Sequence, residues 1–186
     1  MGVSRLAKMA LLVAIAVVFS FIPGFPMIPI VNFVRYEYSD LPVLICALAF
    51  GPLYGLLASA LSVLLSFLLS AEGGGPYGAL MHFIAIGGYA SAAGLVYHYK
   101  KTRAGAIVGM AIGTVLMTLL MIPANLLITP LYTGAPVEAV KALLLPGIIP
   151  VNLIKGVITA ILTFMLYKRV SGFLHADMFK SKNRKQ

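Results

Sequence analysis

The stretch Pro150-Val151-Asn152-Leu153-Ile154-Lys155-Gly156-Val157-Ile158 reads as membrane helix at every position but two. A lysine at the centre of such a helix costs about 2.5–3.5 kcal/mol on insertion scales, so it is a functional-site candidate by default. Asn152 lies three residues earlier, and residues at i and i+3 share a helix face. The pair therefore offers an ammonium and an amide in one direction. Two readings fit Lys155: contact with a ligand or paired group, or snorkelling of its amine to the outer interface.

Working outward, the rest of the chain is equally apolar. It is 186 residues long, 61% hydrophobic and 10% charged, against about 25% charged residues in a soluble domain. Its mean hydropathy is +1.00. The apolar runs have helix length and lack the alternation of a membrane barrel. We expect an all-α integral membrane protein, one membrane domain of six transmembrane helices over about 6–22, 40–50, 53–69, 76–97, 104–128 and 146–167. Residues 171–186 form a basic tail. The first run lacks a small-x-small cleavage site and reads as an uncleaved helix.

The net charge of +9 would suggest a nucleic-acid binder, but the basic residues gather at helix ends. With six spans, Arg5, Lys8, Lys100, Lys101, Arg103, Lys168, Arg169, Lys180, Lys182, Arg184 and Lys185 fall on one side. That bias marks the cytoplasmic side and puts both termini there, with a lipid bilayer as surroundings and no nucleic acid. Glu37, Asp40, Glu72 and Glu138 fall outside. Cys46 is the sole cysteine, which rules out an internal disulfide, and no Cys/His metal spacing exists.

Other polar residues gather around the same end. Asn125 sits near Pro123, inside the fifth run. Arg35-Tyr36-Glu37-Tyr38-Ser39-Asp40 places aromatic and acidic groups before a helix start, where Ser39 or Asp40 would cap and Pro42 fits the first turn. It reads either as an interfacial belt or as a lid over a planar ligand. The preceding segment carries Pro23, Pro26 and Pro29 and must be outside lipid or folded into protein. Gly73-Gly74-Gly75-Pro76-Tyr77-Gly78 lacks the Lys-Ser/Thr ending of a phosphate loop and reads as a hinge or a close approach to a ligand. Ala10 and Ala14 form a small-x-x-x-small pattern. His82 lies inside the fourth run, where a packing role competes with a site role. No nucleophile–base–acid set or HExxH is present, which argues against an enzyme.

In order and spacing, Ser39-Asp40-Leu41-Pro42, Phe50-Gly51-Pro52, Gly75-Pro76 with Gly78, and Asn152-Leu153-Ile154-Lys155-Gly156 resemble the substrate-binding S components of energy-coupling-factor (ECF) vitamin transporters. The resemblance is strongest to their riboflavin-specific branch. It implies a six-helix S-component bundle that binds riboflavin, or its phosphate FMN, near the outer face under the first loop. Asn152 and Lys155 would meet the isoalloxazine edge, with Asn125, Asp40, Glu37, Tyr36, Tyr38, Gly78, His82 and Tyr132 as further contacts. Glu37 stands where the resemblance leads one to expect Asp, and His82 where it leads one to expect Asn. No cofactor is implied, since riboflavin is cargo. The implied partners are a transmembrane coupling protein, docked on Ala10 and Ala14, and two ABC ATPases. A ligand of roughly 27 heavy atoms at about −0.3 kcal/mol each reaches only about micromolar affinity, so tighter capture demands near-complete burial. The alternatives are an S component for thiamine, biotin or pantothenate, a membrane enzyme using Asp40, His82 and Lys155, and an assembly subunit without a ligand.

Overall fold

The computed structural model describes residues 3–31, 35–69 and 74–183, with backbone alone at 31, 168 and 170–183. Glu72, Gly73, Arg184 and Lys185, named above, lie outside the described residues, as does the side chain of His175. Seven α-helices follow in chain order: α1 (Val3–Ser20), α2 (Asp40–Phe50), α3 (Pro52–Leu68), α4 (Gly75–Tyr99), α5 (Arg103–Thr133), the short α6 (Val137–Leu143) and α7 (Ile149–Asn183). A π-helical turn, Leu144–Ile148, joins the last two. Four segments are long and apolar enough to cross a membrane, and α2 and α3 are shorter apolar helices. With α6 set aside as a one- to two-turn element, six helices build the bundle.

The differences from the expected bounds have local causes. The fifth helix continues to Thr133 through Pro123 and Pro130. Each proline forfeits one backbone hydrogen bond, but Pro123 is exposed on the outer surface of the bundle, where its ring needs no space from a neighbour. Gly134 then stops the helix with φ +70°, a left-handed residue of the kind that ends helices. A short surface helix, read from the sequence over 137–145, forms over Val137–Leu143. The last long helix begins a few residues later than expected, at Ile149, because Leu144–Ile148 is a π-helical turn, and it extends through the basic tail.

Packing uses small residues. A Cβ on Gly113 of α5 would fall 2.3 Å from the Tyr89 ring of α4, and one on Gly156 of α7 would fall 2.5 Å from Thr114 of α5. These glycines let α5 approach both neighbours closely, as small residues do in membranes. The core runs through Val13 and Ala16 of α1, Leu44 and Ala47 of α2, Ile86 and Ala90 of α4, and Met110 and Met117 of α5. Leu57, Leu61, Leu64 and Leu68 of α3 and Ile107, Val115 and Leu119 of α5 stay exposed, an apolar exterior suited to lipid.

The length of α2 positions the site. Eleven residues rise about 16 Å, roughly half the hydrocarbon thickness. Its C-terminal end at Gly51 lies beside His98, near the end of α4. Its head, Asp40, therefore starts deep, and the segment before it must descend into the bundle. Tyr36, Ser39 and Asp40 are accordingly buried.

Candidate functional site

The descending segment is braced by its own backbone. Tyr36 N–H donates to Phe25 O at 3.0 Å, and Pro26 and Arg35 form an isolated antiparallel bridge. The Tyr36 ring stacks on Phe25 at 5.5 Å and meets Tyr38 edge-on at 5.3 Å. Its hydroxyl accepts from Thr159 Oγ1 at 3.5 Å. Burial raises the Tyr36 phenol above its ordinary value, so it stays neutral. The expected Ser39 cap is not made. The first amides of α2 are served instead by the turn before it, Asp40 N–H donating to Glu37 O and Leu41 N–H to Tyr38 O.

Beside this brace, four ionisable side chains from four elements converge. Lys155 Nζ of α7 donates to Glu37 Oε2 of the loop and lies 3.2 Å from Asp40 Oδ2 of α2. His82 Nε2 of α4 lies 2.8 Å from Asp40 Oδ1 and 3.3 Å from Glu37 Oε2. The snorkelling reading of Lys155 is thereby corrected. The residue is 5% exposed, held by two carboxylates about two turns into α7, not at the helix end. A buried charge requires such pairing, and an ammonium shared by two carboxylates satisfies it. Glu37, Asp40 and His82 could hold a metal ion by spacing, their ligand atoms lying within 4.8 Å of one another. The Lys155 ammonium already supplies cationic charge to both carboxylates.

The two asparagines are also buried. Asn125 donates Nδ2–H to Met121 O at 2.8 Å and accepts from Thr129 Oγ1 at 3.1 Å. Asn152 donates Nδ2–H to Ile148 O at 2.7 Å, a bond that leaves its carbonyl oxygen as an acceptor. Tyr132 stands apart from the ion cluster. It is half exposed and pairs with Tyr77 at 6.5 Å, at the rim where α4 begins and α5 ends. Gly78 N–H donates to Gly74 O. Gly74 has φ +90°, and a Cβ there would approach Gly78 Cα to 3.2 Å, so this tight turn needs glycine. Ala10 and Ala14 are exposed on α1, opposite the face that buries Leu12, Val13 and Ala16.

The ion cluster thus unites Lys155, Asp40, Glu37 and His82, with Tyr36 and Tyr38 beside it. Sequence reasoning did not single out Thr159, one turn beyond Lys155, nor the Phe25 stack, nor Tyr89, whose hydroxyl donates to Gly156 O at 2.9 Å. The i, i+3, i+7 spacing of Asn152, Lys155 and Thr159 was the available signal for the first.

The whole membrane portion has known relatives. The family described as ECF transporter, substrate-specific component, matches residues 4–167. The riboflavin transporter RibU of Staphylococcus aureus is 32% identical over 176 residues, covering 91% of this chain and 92% of that protein. The riboflavin transporter FmnP of Bacillus subtilis is 28% identical over 182 residues, 94% and 95% of the two. A solved S component of a bacterial ECF transporter superposes with TM-score 0.78 at 33% identity, covering 91% of this chain and 96% of that one. FolT, solved with folic acid, shares the fold at TM-score 0.63 and 24% identity, over 91% and 98% of the two chains. Such relatives are multi-pass transport subunits, not enzymes, and by sequence and fold together this chain belongs to the substrate-specific S components of ECF transporters.

Proposed function

We propose that this chain captures riboflavin from outside the cell and holds it at the site formed by the first loop, α4, α5 and α7. The single observation that carries this reading is the full-length similarity to riboflavin transporters joined to a site of matching chemistry. The flavin pyrimidine edge alternates carbonyl acceptors with an imide N–H. Lys155 Nζ has three donors, two directed to carboxylates, so one remains for a ring carbonyl. Asn152 Oδ1, one helical turn away, suits the imide N–H. Phe25, Tyr36 and Tyr38 form an aromatic group against which a flat ring stacks.

Energy for transport would come from a membrane coupling protein and two ABC ATPases. The exposed Ala10 and Ala14 face of α1 is the proposed docking surface. Both termini would face the cytoplasm by the positive-inside bias. The test is direct. Protein purified in detergent should carry a flavin absorption spectrum or quench added riboflavin fluorescence at stoichiometric concentration. Absence of both signals, with binding of another vitamin, would leave the family assignment standing and overturn the substrate.

A further inference from the structure

Ser39 is buried in the turn that leads into α2, and its hydroxyl has no hydrogen-bond partner among the described residues. A serine before a helix ordinarily caps it, accepting from the N–H two or three residues on. Here neither donor is open to it. Leu41 N–H is taken by Tyr38 O at 3.2 Å, and the next residue is Pro42, which has no N–H. The hydroxyl is therefore not kept for the helix end. A buried hydroxyl without a partner costs about 1–3 kcal/mol, and Ser39 is only 3% exposed, too little for bulk water to satisfy it. Alanine would fill the same place without that cost. The turn that carries Ser39 also supplies the site: Glu37 and Asp40 hold Lys155, and Tyr36 and Tyr38 pack together beside them.

We propose that Ser39 is a ligand-contacting residue whose hydroxyl pairs with an oxygen of the bound flavin. This inference rests on the flavin reading above. A hydroxyl both donates and accepts, so two parts of the ligand match it: a carbonyl of the ring and a hydroxyl of the ribityl chain. With Asp40 committed to Lys155 and His82, Ser39 is the side chain through which the head of α2 reaches the ligand. In the ligand-free protein its orphan hydroxyl destabilises the fold, and in the complex it is satisfied. Stability and affinity therefore move in opposite directions when it is removed, as they do at sites built for function.

The experiment compares the full wild-type chain in detergent with Ser39→Ala and Ser39→Cys, by riboflavin fluorescence-quenching titration and by thermal melts without ligand. Ser39→Ala should melt no lower than wild type, while its riboflavin dissociation constant rises about tenfold, the scale of one buried hydrogen bond. Ser39→Cys nearly keeps the shape but bonds only weakly, and should show a similar loss of affinity. Unchanged affinity in Ser39→Ala overturns the proposal. So does a lowered melting temperature of that variant, which assigns the hydroxyl to the fold, and so does wild-type affinity in Ser39→Cys, which assigns the effect to side-chain volume. Lumiflavin, with a methyl in place of the ribityl chain, separates the two sources of oxygen. A loss that persists with lumiflavin puts the bond on a ring carbonyl, and a loss confined to riboflavin puts it on the ribityl chain. Wild-type protein that binds no riboflavin refutes the flavin reading and this inference with it, whereas wild-type binding that Ser39→Ala leaves unchanged refutes this inference alone.

Discussion

Lys155 Nζ and Asp40 Oδ2 lie 3.2 Å apart although one belongs to the last helix and the other opens the second, and each is at least 95% buried. The contact ties the depth of α2 to the depth of α7. Removing one member leaves the other a single ionic partner, Glu37 for Lys155 and His82 for Asp40, so the loss should fall short of the ~3–5 kcal/mol that stranding a buried charge costs. Asp40→Asn and Lys155→Met should each lower the melting temperature of detergent-purified protein, followed by helical circular dichroism. The double variant should cost clearly less than the sum of the two. Strict additivity would show that the pair is not coupled.

Tyr36 separates packing from hydrogen bonding. Its ring is fully buried against Phe25 and Tyr38, while its hydroxyl makes one long bond to Thr159. Tyr36→Phe should cost no more than about 1 kcal/mol, and Tyr36→Ala about 3–5 kcal/mol through the cavity it leaves. Equal losses in a thermal melt would assign the residue's role to the hydroxyl.

Much of this site was legible in the sequence, for one physical reason. In an apolar chain each ionisable or amide side chain in a helix is costly, so Lys155, Asn152 and Asn125 stand out individually. Helix period and turn chemistry gave α2 its bounds, and Gly75-Pro76 the start of α4. The pairing of Asp40 with His82 was not legible. It depends on the relative depth of α2 and α4, which arises from how short α2 is, and no local pattern encodes the distance between helices. The same holds for Gly156, whose role appears only when Thr114 is seen across the crossing. The expected end of α5, near Ile128, falls short of Thr133 because the residues from Thr129 on, including Gly134 that ends the helix at φ +70°, read as one loop.

That crossing is testable. A methyl at Gly156 would lie 2.5 Å from Thr114 Cγ2 and 2.6 Å from Oγ1. Gly156→Ala should destabilise by about 1–3 kcal/mol and shift the adjacent Lys155. Adding Thr114→Ala should recover part of the loss, both in melting temperature and in riboflavin affinity. A Gly156→Ala protein as stable as wild type would mean that the helices can part at no cost.

The asparagines should differ in kind. Asn125 uses both ends of its amide within α5, whereas Asn152 makes one bond, to Ile148 O. Asn152→Ala should therefore weaken riboflavin binding by about tenfold, the scale of one buried hydrogen bond, with a smaller change in stability. Asn125→Ala should show the reverse weighting. Isothermal titration together with thermal melts distinguishes them, and identical behaviour would argue against a direct imide contact by Asn152.

Glu37 is the one member of the cluster carried by the loop, and a third of its side chain is exposed. Asp40, Lys155 and His82 all ride on helices, so the Glu37 contacts with Lys155 and His82 are the ionic ties holding the loop's acidic end to the bundle. Glu37→Gln keeps the shape and removes the charge, which weakens both ties while leaving Asp40 paired. Stability should change little, because an exposed partner can recruit water. Ligand retention should change more. If the loop covers the bound flavin, its release is timed by how often those ties open, and dissociation should quicken by roughly three- to tenfold, or up to about 1.4 kcal/mol in the barrier. Association should be affected less, since interface changes act mostly on dissociation. Stopped-flow displacement of bound riboflavin reads this rate directly. An unchanged off-rate in Glu37→Gln would show that the loop is held by its Phe25–Tyr36–Tyr38 packing and not by charge.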